Sequence, residues 1–280
     1  MKNVNQFGGN WTEAKMKIVV DYAKAYLTIM NKQPWVKTLY FDGFAGSGLI
    51  EKNEAEDAIK GTALRILDID EPKPFDLYYF VEKDEKNKKA LENKVSIEYP
   101  KKKAFVVQDD CNAKLLDMAR YLQKNKNFRA LAFIDPYGMS VNWNSIEALK
   151  GLGIDFWILV PTGLGVNRLL TKSGEIDDGW LNKLEQFLGI SRTDVYNRFY
   201  KKDIVNTLFG ELEILNKEKA AIEKASKLYS ERLKTVFEYV SEPFVMRNKT
   251  NSIMYHFMMA TNNPSGLKIA NEVIKPQYKL

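Results

Sequence analysis

Short apolar runs alternate with amphipathic stretches through the first half of the chain. Each apolar run has the length of a buried strand, and the stretches between them have the spacing of helices. This rhythm predicts a parallel sheet with helices on both faces. The predicted strands are Thr38–Phe41, Phe75–Val81, Ala104–Val107, Arg129–Ile134 and Phe156–Val160. The predicted helices are one that begins at Thr12 as N-cap, Ala63–Leu67, the lysine- and glutamate-rich stretch to Lys94, Ala113–Leu122 and Trp143–Leu149.

The pattern changes between Gly163 and Leu233, where the chain is polar and helix-prone and contains no convincing strand. Three β-like segments and a final helix follow. We therefore expect an N-terminal helix and an α/β core over residues 1–165, a helical insertion over 166–235, and C-terminal strands and a helix over 236–280 that complete the sheet with a late antiparallel hairpin. The alternative for 236–280 is a small winged-helix-like unit. The clearest helices of the insertion are Trp180–Leu188 and Glu211–Lys234, and the late elements are Val236–Val240, Phe244–Arg247, Ser252–Ala260 and the helix Leu267–Ile274.

Composition excludes several classes of protein. With 45% hydrophobic and 28% charged residues, a chain of 280 residues can build a sizeable core, which argues against global disorder. Its apolar runs are too short to span a bilayer, and its polar start does not resemble a signal peptide. We expect a soluble, cytoplasmic protein without a membrane partner.

The chain has one cysteine, Cys111, and one histidine, His256. A disulfide within the chain is impossible, and a zinc site of cysteine and histidine is nearly so; we expect no metal. Cys111 is best interpreted as a buried structural thiol, and His256, between Tyr255 and Phe257, as a core or strand-face residue.

The formal charge of +6, from 42 Lys and Arg against 36 Asp and Glu, suits an anionic partner such as a nucleic acid. Lysines concentrate in several clusters, which form either a nucleic-acid-binding surface or the solvated faces of helices and strands.

The segment Asp42-Gly43-Phe44-Ala45-Gly46-Ser47-Gly48 directly follows the first predicted strand. Its glycines allow a tight turn and close approach of the backbone to a ligand, and Asp42 can accept from an amine or hydroxyl. The segment matches neither Gly-x-Gly-x-x-Gly nor the phosphate-binding loop, which argues against NAD. Its spacing resembles the cofactor loop of amino-methyltransferases that act on nucleic-acid bases.

Polar residues also end the second and third predicted strands, where ligands of open α/β sheets bind. Glu82 is the natural partner of a ribose, although it follows Asp42 by 40 residues, against the roughly 20 of a compact unit. We attribute the extra length to the loop 51–57 and the turn 68–74. Asp110 with Asn112 is placed to bind an adenine amine, and Asp109 is an equally placed candidate.

Asp135-Pro136-Tyr137-Gly138 ends the fourth predicted strand. It resembles the Asp/Asn-Pro-Pro-Tyr/Phe motif of amino-methyltransferases, in which the first residue and a main-chain carbonyl accept from the target amine and the aromatic ring stacks on a flipped-out base. This chain has only one proline, which brings Tyr137 one position closer to Asp135. Asp135, Pro136 and Tyr137 are the candidate catalytic residues.

Taken together, four segments of the chain resemble the bacterial three-Cys-motif partner family. The resemblance implies a Rossmann-like class I methyltransferase sheet, S-adenosylmethionine (SAM) as cofactor, and a cysteine-bearing partner protein encoded nearby in mobile or defence-type gene neighbourhoods. The segments are the opening Phe7-Gly8-Gly9-Asn10-Trp11-Thr12-Glu13-Ala14-Lys15, then Phe41–Gly48, Ile134–Gly138 and Pro161–Arg168.

By likeness to amino-methyltransferases, the methionine part of SAM would be held by Asp42, Phe44, Gly46 and Gly48, the ribose by Glu82 and the adenine by Asp110. Asp135 with Tyr137 would hold the acceptor. From their place in the pattern, we infer that Trp11, Thr12 and Lys15 close the cofactor pocket.

The leading hypothesis is a SAM-dependent methyltransferase that acts on an exocyclic amine in DNA or RNA. The alternatives are a SAM-binding, non-catalytic partner subunit of a bacterial complex, and a Rossmann enzyme that uses another nucleotide.

Overall fold

A computed structural model describes residues 10–50, 59–208 and 210–279. In chain order, the strands are β1 (Lys37–Asp42), β2 (Leu49–Ile50), β3 (Ile59–Lys60), β4 (Leu77–Glu82), β5 (Ala104–Gln108), β6 (Phe128–Ile134), β7 (Ile154–Val160), β8 (Tyr200–Thr207), β9 (Gly210–Lys217), β10 (Tyr239–Val240), β11 (Phe244–Arg247) and β12 (Ile253–Thr261). The helices are α1 (Asn10–Met30), α2 (Thr62–Leu67), α3 (Glu85–Glu98), α4 (Cys111–Lys124), α5 (Trp143–Glu147), α6 (Asn167–Leu169), α7 (Asp178–Leu188), α8 (Arg192–Phe199), α9 (Ala221–Leu233) and α10 (Pro264–Ile274), with a π-helical turn at Thr162–Val166 and a 3-10 helix at Lys275–Lys279.

The main sheet has the strand order β10–β12–β7–β6–β1–β4–β5, and β11 also pairs with β12. Neighbours from β7 to β5 are parallel, whereas β12 runs antiparallel to β7, with His256 opposite Val160. This architecture confirms the predicted Rossmann-like sheet, mostly parallel with a late antiparallel hairpin. The strands between 239 and 261 lie in the main sheet and do not form a separate unit.

Two apolar layers bury the sheet from opposite sides. Phe41 faces the layer that contains α4, α5, α7, α8 and α9, whereas Tyr40 faces the layer of α1, α2, α3 and α10. Every residue of β7 is buried, as expected for a central strand that is covered on both faces.

The prediction that residues 166–235 contain no strand is wrong. β8 and β9 form an antiparallel hairpin, so the predicted helix Glu211–Lys234 begins only at Ala221. Local helix propensity is overridden here by pairing across the strands, which an ion pair between Lys202 and Glu213 (2.6 Å) supports.

The prediction of Thr12 as the N-cap of the first helix is also wrong. α1 already includes Asn10, so Thr12 lies inside the helix. Its hydroxyl is buried and has no hydrogen-bond partner within the part of the chain that the structure describes. Residues 7–9 of the opening motif and the loop 51–57 lie outside the described residues.

Candidate functional site

Four acidic side chains lie at one edge of the sheet. Because β6, β1, β4 and β5 are adjacent and parallel, their carboxyl ends meet at this edge. Asp42 ends β1, Glu82 ends β4, Asp110 follows β5 and Asp135 follows β6.

The glycine loop after β1 is anchored on both neighbouring strands. The Gly43 amide donates to the Phe133 carbonyl of β6 (3.0 Å), and the Gly46 amide donates to Glu82 Oε2 at the end of β4 (2.8 Å). Gly46 and Gly48 have φ values of +62° and +78°, in the left-handed region that favours glycine. A Cβ on Gly46 would meet no atom within 4 Å, so the loop presents open backbone at this residue.

Gly43 has a different role from Gly46. A Cβ on Gly43 would lie 2.5 Å from Cys111 Sγ and 2.8 Å from Ile134 Cδ1, so close packing beneath the loop requires this glycine. Burial, together with the nearby Asp110 and Asp42, raises the pKa of the Cys111 thiol. The thiol therefore stays protonated and belongs to the packing under the loop.

The carboxyl group of Asp42 is almost completely buried, with 1% of the residue exposed. Burial raises its pKa to about 7, the charges of Asp135 and Glu82 act in the same direction, and the Phe44 amide (3.1 Å) and Lys15 oppose them. The site thus holds a carboxyl group whose charge the protein stabilises poorly.

Glu82 is also buried, but its charge is better satisfied than that of Asp42. One carboxylate oxygen accepts from Gly46, and the other accepts from the Asp84 amide (2.8 Å). Backbone donors therefore hold the carboxylate in one orientation.

Asp109 and Asp110 have different partners. Asp109 forms an ion pair with Lys114 (2.9 Å), which lowers its pKa. Asp110 is the N-cap of α4, where it accepts from the Asn112 amide (2.9 Å), and its side chain is 46% exposed. Asp110 thus combines a fixed position with a carboxylate that is open to solvent.

The side-chain amide of Asn112 is used within the protein. Its oxygen accepts from the Asn142 amide (2.7 Å) and the Ser145 hydroxyl (3.0 Å), and its nitrogen donates to the Ser140 carbonyl (2.9 Å) and to Asp110. Asn112 therefore connects the start of α4 to the loop after β6.

The segment after β6 presents Asp135 and Tyr137 at the sheet edge. Asp135 is partly exposed, Pro136 is buried, and Tyr137 is 66% exposed. The Tyr137 ring meets the Phe44 ring edge-on, with 6.2 Å between ring centres. Gly138, with φ +60°, turns the chain away directly after the tyrosine.

The first helix contributes Lys15 and Trp11 to the same region. Lys15 is buried and donates to Asp135 Oδ2, with which it forms an ion pair. The Lys15 ammonium lies 5.9 Å from the centre of the Trp11 ring, and that ring lies 5.6 Å from the ring of Tyr255 in β12. The structure thus places Lys15 against the proposed acceptor residue.

Sequence reasoning missed Tyr255 as a member of this region. The only signal was its position near the start of an apolar strand. Its contact with Trp11 depends on β12 pairing beside β7, with His256 opposite the last residue of that strand.

His256 lies on the other face of β12, away from these residues. Its Nδ1 forms a hydrogen bond with the Thr162 hydroxyl (2.7 Å), and burial lowers its pKa to about 4. A neutral buried histidine agrees with the strand-face interpretation.

No helix within residues 10–50, 59–208 and 210–279 is long and apolar enough to cross a membrane. Over the same described ranges, no group of three or more His, Cys, Asp or Glu side chains could hold a metal ion.

Comparison with solved structures finds structural likenesses at low sequence identity. No family model matches the chain, and no curated protein matches it significantly. Among solved structures, protein LPL1258 from Legionella pneumophila is 14% identical, with a TM-score of 0.44, and the match covers 92% of this chain and 99% of that one. Trm1 from Pyrococcus horikoshii, solved with S-adenosyl-L-methionine, is 12% identical with a TM-score of 0.40 over 94% and 67% of the two chains. Spermidine synthase from Thermotoga maritima is 14% identical with a TM-score of 0.40 over 92% and 62%.

Proposed function

We propose that the protein is a SAM-dependent methyltransferase that acts on an exocyclic amine of a base in DNA or RNA. The observation that carries the cofactor assignment is the buried Asp42, whose pKa of about 7 reflects burial and repulsion from Asp135 and Glu82. A cation bound beside Asp42 would stabilise the ionised carboxylate and so offset both effects.

The charge of this edge discriminates between cofactors. Asp135 and Glu82 lie near enough to Asp42 to raise its pKa, and among the described residues that act on Asp42 the cation is Lys15, which pairs with Asp135. The pyrophosphate of a dinucleotide would meet like charges here, whereas SAM carries an ammonium and a sulfonium cation. The residues present therefore fit SAM better than NAD.

Each part of the edge has a role toward this cofactor. Asp42 and the open backbone at Gly46 would hold the methionine part, Glu82 the ribose hydroxyls, and Asp110, held by Asn112, the adenine amine. Held in this way, SAM would supply an electrophilic methyl group for transfer to the amine nitrogen, with S-adenosylhomocysteine as the leaving group.

The acceptor side consists of Asp135 and Tyr137. Asp135 would accept a hydrogen bond from the target amine and so aim the lone pair of its nitrogen at the methyl group, and the proton lost after transfer would pass to solvent. The exposed Tyr137 ring offers a stacking surface for a base that has left its helix. The formal charge of +6 favours an anionic polymer as the source of that base. The likeness to the three-Cys-motif partner family adds the hypothesis of a cysteine-bearing partner protein.

Calorimetric titration with SAM, S-adenosylhomocysteine and NAD tests the cofactor assignment. We expect both S-adenosyl compounds to bind and NAD not to bind. Asp42→Asn should weaken SAM binding strongly, and Asp117→Asn, an exposed carboxylate on α4, should not. Absence of SAM binding at millimolar ligand would refute the proposal.

Transfer of a radiolabelled methyl group to mixed DNA and RNA tests the activity. Asp135→Ala should abolish transfer and leave SAM binding intact. Binding of SAM without any transfer by the wild-type protein would favour the non-catalytic partner subunit.

A further inference from the structure

An ion pair between Lys15 of α1 and Asp135, which are 120 residues apart in sequence, crosses the site. Lys15 is 6% exposed and lies between aromatic groups, 5.9 Å from the Trp11 ring centre and 6.0 Å from that of Phe133. An ammonium in such surroundings requires a counter-charge, because it has lost most of its water. Asp135 provides that counter-charge.

The pair leaves one oxygen of Asp135 available. Lys15 occupies Oδ2, and Oδ1 accepts no hydrogen bond from the residues that the structure describes. The Asp135 side chain is 28% exposed, so it reaches the open edge of the sheet. The ion pair therefore sets the direction in which Oδ1 faces.

Aromatic side chains lie on both sides of Asp135 along the sheet. In the order β12–β7–β6–β1, Asp135 follows β6, Tyr255 belongs to β12, and Phe44 follows β1. Tyr255 contacts Trp11, and Phe44 contacts Tyr137. The acceptor carboxylate thus stands between two pairs of aromatic rings.

We propose that Lys15 is a positioning residue of the acceptor site, which directs Asp135 Oδ1 toward a neutral, planar amine between the two aromatic pairs. This proposal rests on the proposed function. An alkylammonium acceptor would place a second cation beside Lys15 and compete for the same carboxylate, whereas an exocyclic base amine is neutral and donates through N–H. Lys15 thereby selects bases over polyamines.

The variants that test the proposal are Lys15→Met, which removes the ammonium, Lys15→Arg, which keeps the charge, and Lys17→Met. Lys17 is the matched control, because it lies on the same helix and pairs with Asp21 at the surface. The acceptor probes are single-stranded DNA and RNA oligonucleotides of mixed sequence, and spermidine. Transfer from radiolabelled SAM to each probe is measured together with SAM binding by calorimetry.

We expect Lys15→Met to lower kcat/KM for the oligonucleotides by roughly 100-fold through misplacement of Asp135, with the Kd for SAM unchanged. Lys15→Arg should restore part of the activity, Lys17→Met should resemble wild type, and spermidine should receive no methyl group. Loss of SAM affinity in Lys15→Met equal to the loss of transfer would overturn the proposal, because Lys15 would then belong to the cofactor pocket. Transfer to spermidine, or to neither oligonucleotide while SAM binds, would overturn the acceptor class.

A double-mutant cycle tests the ion pair without any activity. Urea unfolding gives the loss in free energy of unfolding for Lys15→Met, for Asp135→Asn and for the double variant. The loss in the double variant should be smaller than the sum of the two single losses, because each single variant leaves a charge without its partner. Additive effects would show that the pair does not position Asp135. Failure of SAM binding would refute the proposed function and leave the result of this cycle standing.

Discussion

At the scale of single residues, Asp42 and His256 respond to pH in opposite directions. Burial raises the pKa of Asp42 to about 7 and lowers that of His256 to about 4. In both cases the folded protein favours the neutral form, so both residues link folding to protonation.

Asp42→Asn is expected to stabilise the ligand-free protein at pH 8. The folded pKa of about 7 lies above the ordinary value of 3.8, so stability falls as pH rises through this window. This difference between the two pKa values of Asp42 corresponds to at most about 4 kcal/mol in the free energy of unfolding. Urea unfolding at pH 8 and pH 4.5 measures the gain, which should be much smaller at the lower pH. An equal effect at both pH values, or the same gain in Asp117→Asn, would contradict this account.

His256→Gln is expected to flatten the acid side of the stability profile. The unfolded chain binds a proton below the ordinary pKa of 6.5, whereas the folded protein does so only near 4, so His256 costs stability as pH falls between these values. The difference between wild type and variant should change by about 2 kcal/mol between pH 7 and pH 5. Because Asp42 acts in the opposite direction, the two proteins must be compared at each pH. Parallel profiles would rule out His256 as the source.

At the scale of elements, the end of α7 is defined by one glycine. Gly189 has φ +66° and its amide donates to the Glu185 carbonyl (2.8 Å), which ends the helix in the left-handed conformation. The chain then passes so close to the indole of Trp143 in α5 that a Cβ on Gly189 would lie 2.2 Å from its Cγ. This residue thus sets both the end of α7 and its packing against α5.

Gly189→Ala is expected to destabilise the protein by about 2–4 kcal/mol, from backbone strain and from overlap with Trp143. Gly151→Ala is the matched control, since Gly151 has φ +73° but open space around a Cβ. The control should cost only about 1 kcal/mol. Urea unfolding of both variants separates the two contributions, and equal losses would mean that the contact with Trp143 has no energetic weight.

At the scale of the whole molecule, a buried carboxylate joins the first helix to the last strand. Asp155 in β7 accepts from the hydroxyl groups of Tyr22 in α1 (2.7 Å) and Thr261 in β12. These partners are 133 and 106 residues away in sequence. The group therefore forms only when both ends of the chain have packed on the central strand.

Tyr22→Phe is expected to lower the free energy of unfolding by about 1–3 kcal/mol, because it leaves one oxygen of a buried carboxylate without its donor. Tyr121→Phe, a partly exposed tyrosine on α4, should change stability little. Chemical unfolding monitored by circular dichroism measures both. A Tyr22→Phe variant as stable as wild type would show that the hydroxyl contributes no net stability.

Much of the architecture could be predicted because its elements carry strong local patterns. The run Phe156–Val160 within the fully buried β7 is continuously apolar, as in a central parallel strand, and the acidic residues Asp42, Glu82 and Asp135 follow predicted strands directly. Parallel strands place the residues that follow them at one edge of the sheet, whatever the order of the strands. A candidate site could therefore be located before any contact between side chains was known. The hairpin of β8 and β9 could not be predicted, because its glutamate, leucine and lysine residues favour a helix locally and only cross-strand pairing reverses that preference.

The sequence by itself determined the alternation of strands and helices, the glycine loop after β1 and the acidic residues at the strand ends. Each of these depends on hydrophobic spacing, backbone freedom or chain direction, which are local properties. Only the tertiary structure decided that Lys15 reaches Asp135, that Tyr255 meets Trp11, and that Asp42 is buried deeply enough to shift its pKa. The two contacts join segments more than 90 residues apart in sequence, and the burial of Asp42 depends on everything that packs around it. All three therefore follow from how helices and strands pack on one another and not from any local pattern.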